Sequence, residues 1–338
     1  MPRTGNDRRD LVVLGASAGG VEALREVVAG LPAALPAAVL VVLHTPAGYE
    51  SALAAVLNRC GPLRAETARH GAPLVPGRIY VAAPDHHLLV RHNRMLLSRA
   101  PKQNRVRPAV DALFRSAARW HGDRTVAVVL SGTLDDGAAG LAAVDAAGGA
   151  CLVQDPADAM FPGMPEAALA VVSGAEACPA SALAGRIEAL VAEPLTEPAG
   201  PFTDPDLVVE TDMAENLPLT PPRDSPGVPV AISCPDCTGG MNQVQIGAAL
   251  HYTCHIGHVW SPQTLLAAQR DKVEQALWTA VSMLEEQAKI HDELAVRAAA
   301  GARGALVESH QTASAREIRT AAGIIRKHFP EFMPSAPV

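Results

Sequence analysis

The sequence predicts an α/β protein built on a doubly wound parallel sheet, with a small cysteine-bearing module and a helical hairpin after it. Three observations lead there. Residues 11–14 (Leu-Val-Val-Leu), 38–43 (Ala-Val-Leu-Val-Val-Leu) and 125–130 (Thr-Val-Ala-Val-Val-Leu) are continuous apolar runs, as expected of strands buried on both faces. Segments of helical period alternate with them, the order that right-handed crossovers between parallel strands require. Late in the chain, three of the six cysteines cluster and two long helical stretches follow.

Size and charge limit the function classes. The chain has 338 residues, 49% hydrophobic and 19% charged, which describes a soluble globular protein of about two domains. The net charge of −7 gives no general attraction to nucleic acid or anionic membrane. No apolar run approaches the ~20 residues that span a bilayer, so no membrane insertion is expected. The first ten residues, MPRTGNDRRD, do not read as a signal peptide. A cytoplasmic location follows as an expectation, and a disulfide framework is not expected there. Cys60, Cys151 and Cys178 are scattered and read as buried small residues.

The first strand ends in Gly15-Ala16-Ser17-Ala18-Gly19. This fits a G-x-S-x-G turn, which presents a serine oxygen at the carboxyl end of a sheet. The helix expected over 21–29 would aim its N-terminal amides at the same place. A dinucleotide-binding turn competes, because Gly15-x-Ser17-x-x-Gly20 differs from G-x-G-x-x-G by one residue. Such a site wants an acidic residue at the end of strand two, whereas His44 stands there.

After strand two, a helix is expected over 50–59, then a short strand near 77–83 and a hairpin over 87–97. An amphipathic helix covers 108–121. The strand at 125–130 ends in Ser131-Gly132-Thr133-Leu134-Asp135-Asp136-Gly137, followed by a helix over 138–147 and a strand over 150–153. The sheet domain spans 1–195. Residues 196–229 are rich in Pro, Asp, Thr and Glu and read as a disordered linker. The cysteine module spans 230–262 and a helical tail 263–330, with helices over 262–300 and 309–328. Val273, Leu277, Val281, Leu284 and Leu294 form an apolar stripe on the first of these.

Three buried strands thus end in Ser17, His44 and Asp135-Asp136. Parallel strands bring their carboxyl ends to one edge, where ligands bind. Serine, histidine and aspartate are the groups that acyl transfer requires: an attacking oxygen, a base for its proton and a carboxylate that orients the base. The order Ser, His, Asp differs from the Ser, Asp, His of α/β-hydrolases.

The first ~190 residues resemble the catalytic domain of chemotaxis protein-glutamate methylesterases, the CheB family. The resemblance rests on Gly15-Ala16-Ser17-Ala18-Gly19-Gly20, His44-Thr45-Pro46, Arg107-Pro108-Ala109-Val110-Asp111-Ala112-Leu113-Phe114, Ser131 through Ala138, and Gly163-Met164-Pro165-Glu166-Ala167-Ala168. It implies hydrolysis of glutamate γ-methyl esters on a methylated receptor protein, and deamidation of glutamine by the same chemistry. It implies Ser17 as nucleophile, His44 as base, Asp136 rather than Asp135 as the orienting carboxylate, and the Thr133 amide as oxyanion donor. Ala18, Thr45 and Thr133-Leu134 depart from the family's usual threonine, methionine and Met-Gly. A receiver domain acting in cis is not expected. A catalytically degenerate scaffold or sensor on the same fold is the alternative. His86, His87 and His92 read as surface or hairpin residues, and Asp111 as a solvated helix residue or a border of the substrate cleft.

Cys234-Pro235-Asp236-Cys237 and Cys254-x3-His258 have the spacing of a tetrahedral zinc site. Cys234, Cys237, Cys254 and His258 are the expected ligands, with His255 and His251 as substitutes in the fourth position. Four protein ligands make the zinc structural, and a module this small would draw its folding energy from the metal. The tail is similar to zinc-ribbon-like segments attached to some stand-alone methylesterase-like proteins. Its apolar stripe reads as a hairpin or homo-oligomer seam.

Overall fold

The apolar runs do form strands, and the helices between them run along both faces of one sheet. The structure is a computed structural model that describes residues 8–45, 48, 51–195, 202–216, 226–299 and 304–332. In order, the sheet domain runs β1 (Leu11–Ala16), α1 (Gly20–Gly30), β2 (Ala38–Leu43), α2 (Leu53–Leu57), β3 (Arg64–Thr67), β4 (Arg78–Val81), β5 (His87–Arg91), β6 (Arg94–Ser98), α3 (Val110–His121), β7 (Thr125–Val129), α4 (Ala138–Ala146), β8 (Ala150–Gln154), α5 (Gly163–Val171), β9 (Glu176–Cys178) and α6 (Ala180–Ala192). Seven strands form a parallel sheet in the order β3-β4-β2-β1-β7-β8-β9, and β5 and β6 form a separate antiparallel hairpin.

Alternation along β1 shows how the core is divided. Val12 and Leu14 face one side, with Leu24 and Val27 of α1 and Leu183 and Ile187 of α6. Leu11 and Val13 face the other, with Leu113 and Phe114 of α3 and Leu141 of α4. Successive strand residues point to opposite faces, so every residue of β1 is buried. From β1 the chain crosses to β2 on one side, while β7 pairs on the other. This is a topological switch point, where open α/β sheets form their ligand crevice.

The stretch expected to be a disordered linker contains a helix, α7 (Pro205–Ala214). Asp204 caps it, accepting from the Leu207 amide at 3.0 Å, with Pro205 in the first turn, a standard helix start. Residues 196–201 and 217–225 of that stretch lie outside the described residues. α7 packs on α3: Arg119 reaches Asp212 at 2.7 Å and the Trp120 indole donates to Glu215 at 3.1 Å. The acidic, proline-rich composition concealed a helix whose Leu207 is buried in the sheet domain's core.

The cysteine module folds as β10 (Val228–Ser233), β11 (Gly240–Ile246), β12 (Ala249–Cys254) and β13 (Val259–Trp260), a four-stranded antiparallel sheet. Its Val244, Ile246 and Ala249 join the core of the sheet domain. The expectation of a module without a core of its own, dependent on metal alone, is therefore corrected: it borrows a core. Residues 1–265 form one compact unit. A buried ion pair ties it together, with His251 of β12 2.6 Å from the Glu210 carboxylate of α7 and Arg115 of α3 3.8 Å from its other oxygen.

Residues 266–338 form the second unit. It contains most of α8 (Pro262–Ala299) and α9 (Gly304–Phe332). α9 begins earlier than the expected residue 309, and Gly304 opens it. Val281, Ala288 and Ala295 on α8 are buried, as are Ala315 and Ala322 on α9, all at seven-residue spacing. This narrow seam corrects the expected stripe, of which Val281 is buried but Val273 and Leu294 are exposed. Trp278 stacks on Phe329 and Arg326 pairs with Glu285 at 2.8 Å.

Candidate active site and metal centre

Ser17 and His44 are set side by side by the sheet itself. Ladder bonding continues past the strand ends: the Ser17 amide donates to Ser131 O at 2.9 Å and the His44 amide to Ala16 O at 3.2 Å. The Ser17 turn is tight because two glycines permit it. A Cβ on Gly15 would fall 2.1 Å from Val110 at the start of α3, and Gly19 takes φ 70° as it caps α1. That φ suits glycine. Without these glycines, neither α1 nor α3 could approach the serine so closely.

The three side chains form one hydrogen-bonded row. The Ser17 hydroxyl lies 3.0 Å from His44 Nδ1, and His44 Nε2 lies 2.7 Å from Asp136 Oδ2. The ring is turned opposite to the chymotrypsin arrangement, in which Nε2 faces the serine. The cause is strand adjacency. Ser17 sits beside the His44 backbone, so the near ring nitrogen meets it and the far one reaches Asp136.

Asp136 is almost fully enclosed. Burial works to raise its pKa. Hydrogen bonds from His44, Asn104 and the Val110 amide outweigh that and hold it down to about 2. The carboxylate accepts from Asn104 Nδ2 at 2.9 Å, Val110 N at 2.7 Å and Asp111 N at 3.2 Å. The first turn of α3 thus supplies two backbone donors, as helix N-termini do for anions. Asp135, the other acidic residue, points away and accepts from Ser261 at 2.6 Å. Burial pushes it up to about 6. The geometry therefore brings Asp136, not Asp135, to His44.

Thr133, the expected oxyanion donor, is exposed in the loop after β7. Gly132, just before it, lies against Ser17: a Cβ there would fall 2.9 Å from Ser17 Cβ. Leu134 adopts φ 62°, the left-handed conformation that favours glycine.

Two expectations are corrected. His87 opens the hairpin strand β5, as the hairpin reading has it, but is fully buried rather than at the surface: it lies 3.0 Å from Pro101 O through Nε2 and accepts from the Ala109 amide at 3.2 Å. Burial depresses it to about 4, so it is a neutral strut beneath the loop 99–109. Asp111 is also buried and accepts from Gly137 N at 3.0 Å, Gly140 N at 2.6 Å and Asn104 Nδ2 at 2.8 Å. Burial, and then the charge of Asp136, push it up to about 7. Arg107 bonds Asp85 at 2.6 Å and the carbonyl of Ala100 at 2.8 Å.

Beside His44 opens a cleft of about 330 Å³, lined also by Thr45, Asp85, Lys102, Arg105 and Arg107. Its charged rim is mainly cationic.

The candidate metal centre brings together Cys234, Cys237, Cys254 and His258, whose ligand atoms all lie within 4.8 Å of one another. Cys237 Sγ is 3.6 Å from Cys254 Sγ, and Cys254 Sγ is 3.5 Å from His258 Nδ1. Two thiolates on one tetrahedral zinc stand about 3.8 Å apart, so the donor set fits. His258 Nε2 lies 3.8 Å from Asp236, the kind of carboxylate support that metal-bound histidines have. Burial pushes the Cys234 thiol up to about 11, while the amides of Cys237 and Asp236 and the Trp260 indole favour its thiolate. Neither substitute ligand belongs to this four-residue cluster. His251 binds Glu210, and His255 lies over Gly239.

Asn104, Ser261 and Thr264 were missed. Asn104 sits in a polar loop with no distinguishing pattern. Ser261 did carry a signal: Ser261-Pro262-Gln263-Thr264 is a helix start, and the Thr264 amide donates to Ser261 Oγ at 3.1 Å, as in an N-cap.

The family model for CheB methylesterase matches residues 12–187. The chain belongs to the CheB methylesterase family. It is 38% identical over 187 residues to the protein-glutamate methylesterase/protein-glutamine glutaminase of group 3 operon of Pseudomonas putida, covering 55% of this chain and 55% of that protein. It is 39% identical over 186 residues to protein-glutamate methylesterase/protein-glutamine glutaminase 3 of Burkholderia lata, covering 54% of this chain and 51% of that protein. The chain thus spans about half the length of the curated relatives it matches. The crystal structure of the Thermotoga maritima CheB methylesterase catalytic domain superimposes with a TM-score of 0.52 at 32% identity, covering 54% of this chain and 98% of that one. The CheB match ends near α6, ahead of α7, the cysteine module and the helical hairpin.

Proposed function

We propose that the chain is a serine hydrolase that removes methyl groups from glutamate γ-methyl esters of receptor proteins in chemotaxis-type signalling. The row of Ser17, His44 and Asp136 at the sheet's switch point carries this reading. Neutral His44 donates its Nε2–H to Asp136 and accepts the Ser17 O–H at Nδ1. Ser17 Oγ attacks the ester carbonyl as its proton passes to Nδ1, and the carbonyl electrons move to oxygen. The Thr133 amide and the N-terminus of α1 stabilise that oxyanion. As it collapses, the C–OCH3 bond breaks and methoxide takes the proton from His44, leaving as methanol. Water, deprotonated by His44, then attacks the acyl–Ser17 ester; the carbonyl C–Oγ bond breaks, Ser17 Oγ takes the proton back from His44, and the glutamate side chain of the receptor is freed as its carboxylate. Deamidation of glutamine follows the same path with ammonia as leaving group.

The cationic cleft beside His44 supports an acidic receptor segment as substrate. Release of methanol from a peptide bearing γ-methyl glutamate tests the reading. Wild-type protein should release it and Ser17→Ala should not; methanol release by Ser17→Ala at the wild-type rate would overturn the assignment.

Cys234, Cys237, Cys254 and His258 would hold a structural zinc, which with four protein ligands supplies cross-linking and no open position for chemistry. No helix among the described residues is long and apolar enough to cross a membrane, in keeping with a cytoplasmic enzyme. Val273, Trp278, Ile290 and Leu306 stay exposed on the helical unit, which supports homo-oligomerisation through it. Sedimentation of the full chain tests this: a monomer at high concentration would count against it.

A further inference from the structure

Asn104 occupies the junction between the Asp136 carboxylate and the cysteine module. It is buried and takes φ 50°, a left-handed conformation that asparagine tolerates better than most residues. Every polar group of its side chain is used. Its two Nδ2 hydrogens go to Asp136 Oδ1 at 2.9 Å and Asp111 Oδ2 at 2.8 Å. Its Oδ1 accepts from the Ser261 amide at 2.8 Å and from the Thr264 hydroxyl at 3.1 Å. Its own amide donates to Val259 O, in β13, at 2.8 Å. The pattern has one consistent orientation: both carboxylates need donors, and both module groups supply them.

The consequence reaches the reacting atoms through His44. Asp136 can hold the imidazole only if its carboxylate plane is fixed. His44 and the Val110 amide both bind Oδ2, whereas Oδ1 is held by Asn104 at 2.9 Å and more weakly by the Asp111 amide at 3.2 Å. Asn104 in turn cannot rotate while the helix start at Ser261–Thr264 occupies its oxygen. Those module residues lie just after His258, and Ser261 also grips Asp135 through its hydroxyl at 2.6 Å.

We propose that Asn104 is a positioning residue for the His44–Asp136 pair, and that the Val259–Thr264 segment, which runs from β13 of the cysteine module into the first turn of α8, completes the active site by fixing the Asn104 amide. The proposal rests on the hydrolase reading above, but it extends to a part of the chain that lies beyond the family match at residues 12–187. It assigns the module a direct role in setting the geometry of the triad.

The test uses the full-length, metal-loaded chain. Asn104→Ala and, separately, Thr264→Val are made in the wild-type and Asp136→Asn backgrounds. kcat and KM on a γ-methyl glutamyl peptide are measured, together with the rate of Ser17 labelling by a fluorophosphonate and the melting temperature. Misplacing a catalytic group by about 1 Å can cost 10²-fold, so Asn104→Ala should lower kcat and the labelling rate by about 10- to 100-fold with KM nearly unchanged. Thr264→Val, which removes one hydroxyl and keeps the side-chain shape, should lower both several-fold. In the Asp136→Asn background both substitutions should cost less than about threefold, because groups acting as a unit are not additive. Should Asn104→Ala fail to fold, Thr264→Val reads the same coupling. Wild-type kcat and labelling in folded variants would overturn the proposal, as would equal losses in both backgrounds. Protein that labels at Ser17 but leaves the peptide intact would overturn only the substrate reading, with the labelling rates still deciding the role of Asn104. Protein that does neither would overturn both.

Discussion

The hydroxyl of Ser261, at the start of α8, donates to the Asp135 carboxylate at 2.6 Å, and both residues are buried. This bond joins the cysteine module to the loop that carries Asp136. Burial raises Asp135 to about 6 from an ordinary 3.8, so folding favours its protonated form. That contribution is complete below about pH 4 and is lost as pH rises through about 6; it amounts to no more than about 3 kcal/mol. Asp136, held near 2, has the opposite sign and loses its contribution only as pH falls from about 4 toward 2. Asp111, pushed to about 7, adds a loss of the same sign as Asp135 at slightly higher pH. Urea midpoints between pH 4 and 6 should therefore fall more steeply with pH in wild type than in Asp135→Asn.

Arg115 is fully buried between Glu210 and Gln103. Arg115→Met should leave Glu210 with His251 as its remaining buried partner. Breaking a buried ion pair from one side costs about 3–5 kcal/mol, or roughly 10 °C in melting temperature at this size. Calorimetry of the full chain measures it. A drop of only a degree or two would mean that α7 and the module are not held by this network.

Metal analysis should find one zinc per chain. Cys237→Ser should abolish it and lower the melting temperature, because three remaining ligands bind more weakly. The sheet domain should keep its own transition, since its core is built mainly from its own strands and helices. Full zinc content in Cys237→Ser would overturn the ligand assignment.

Most of the architecture was legible because buried parallel strands are continuous apolar runs and need no partner to be recognised. The hydrogen-bonded row was legible in part: Ser17 and His44 follow the ends of their strands, so topology brings them to one edge, whereas the loop after β7 offers both Asp135 and Asp136, and only the family resemblance pointed to Asp136. The short edge strands β3 and β9, with polar residues such as Glu66 and Glu176, carry no such run and were missed. α7 was hidden by its composition, since Glu210 and Asp212 look solvated until Arg115, His251 and Arg119 are placed opposite them. His87 and Asp111 were misjudged for the same reason. A buried polar residue is identified by its partners, and the Pro101 carbonyl, Gly140 amide and Asn104 amide that satisfy them are distant in sequence. The cysteine–histidine cluster was legible from local spacing, but the docking of its module onto the loop after β7 depends on contacts across some 150 residues.

The most direct measurement is covalent labelling of Ser17 by a fluorophosphonate probe, located by mass spectrometry, in wild-type, Ser17→Ala and His44→Ala protein. Wild type should be modified at Ser17, Ser17→Ala not at all, and His44→Ala about 10²-fold more slowly or worse, the usual contribution of a positioned base. Folded, zinc-loaded wild type that resists labelling, or equal labelling with and without His44, would contradict an activated serine and return the fold to the scaffold reading.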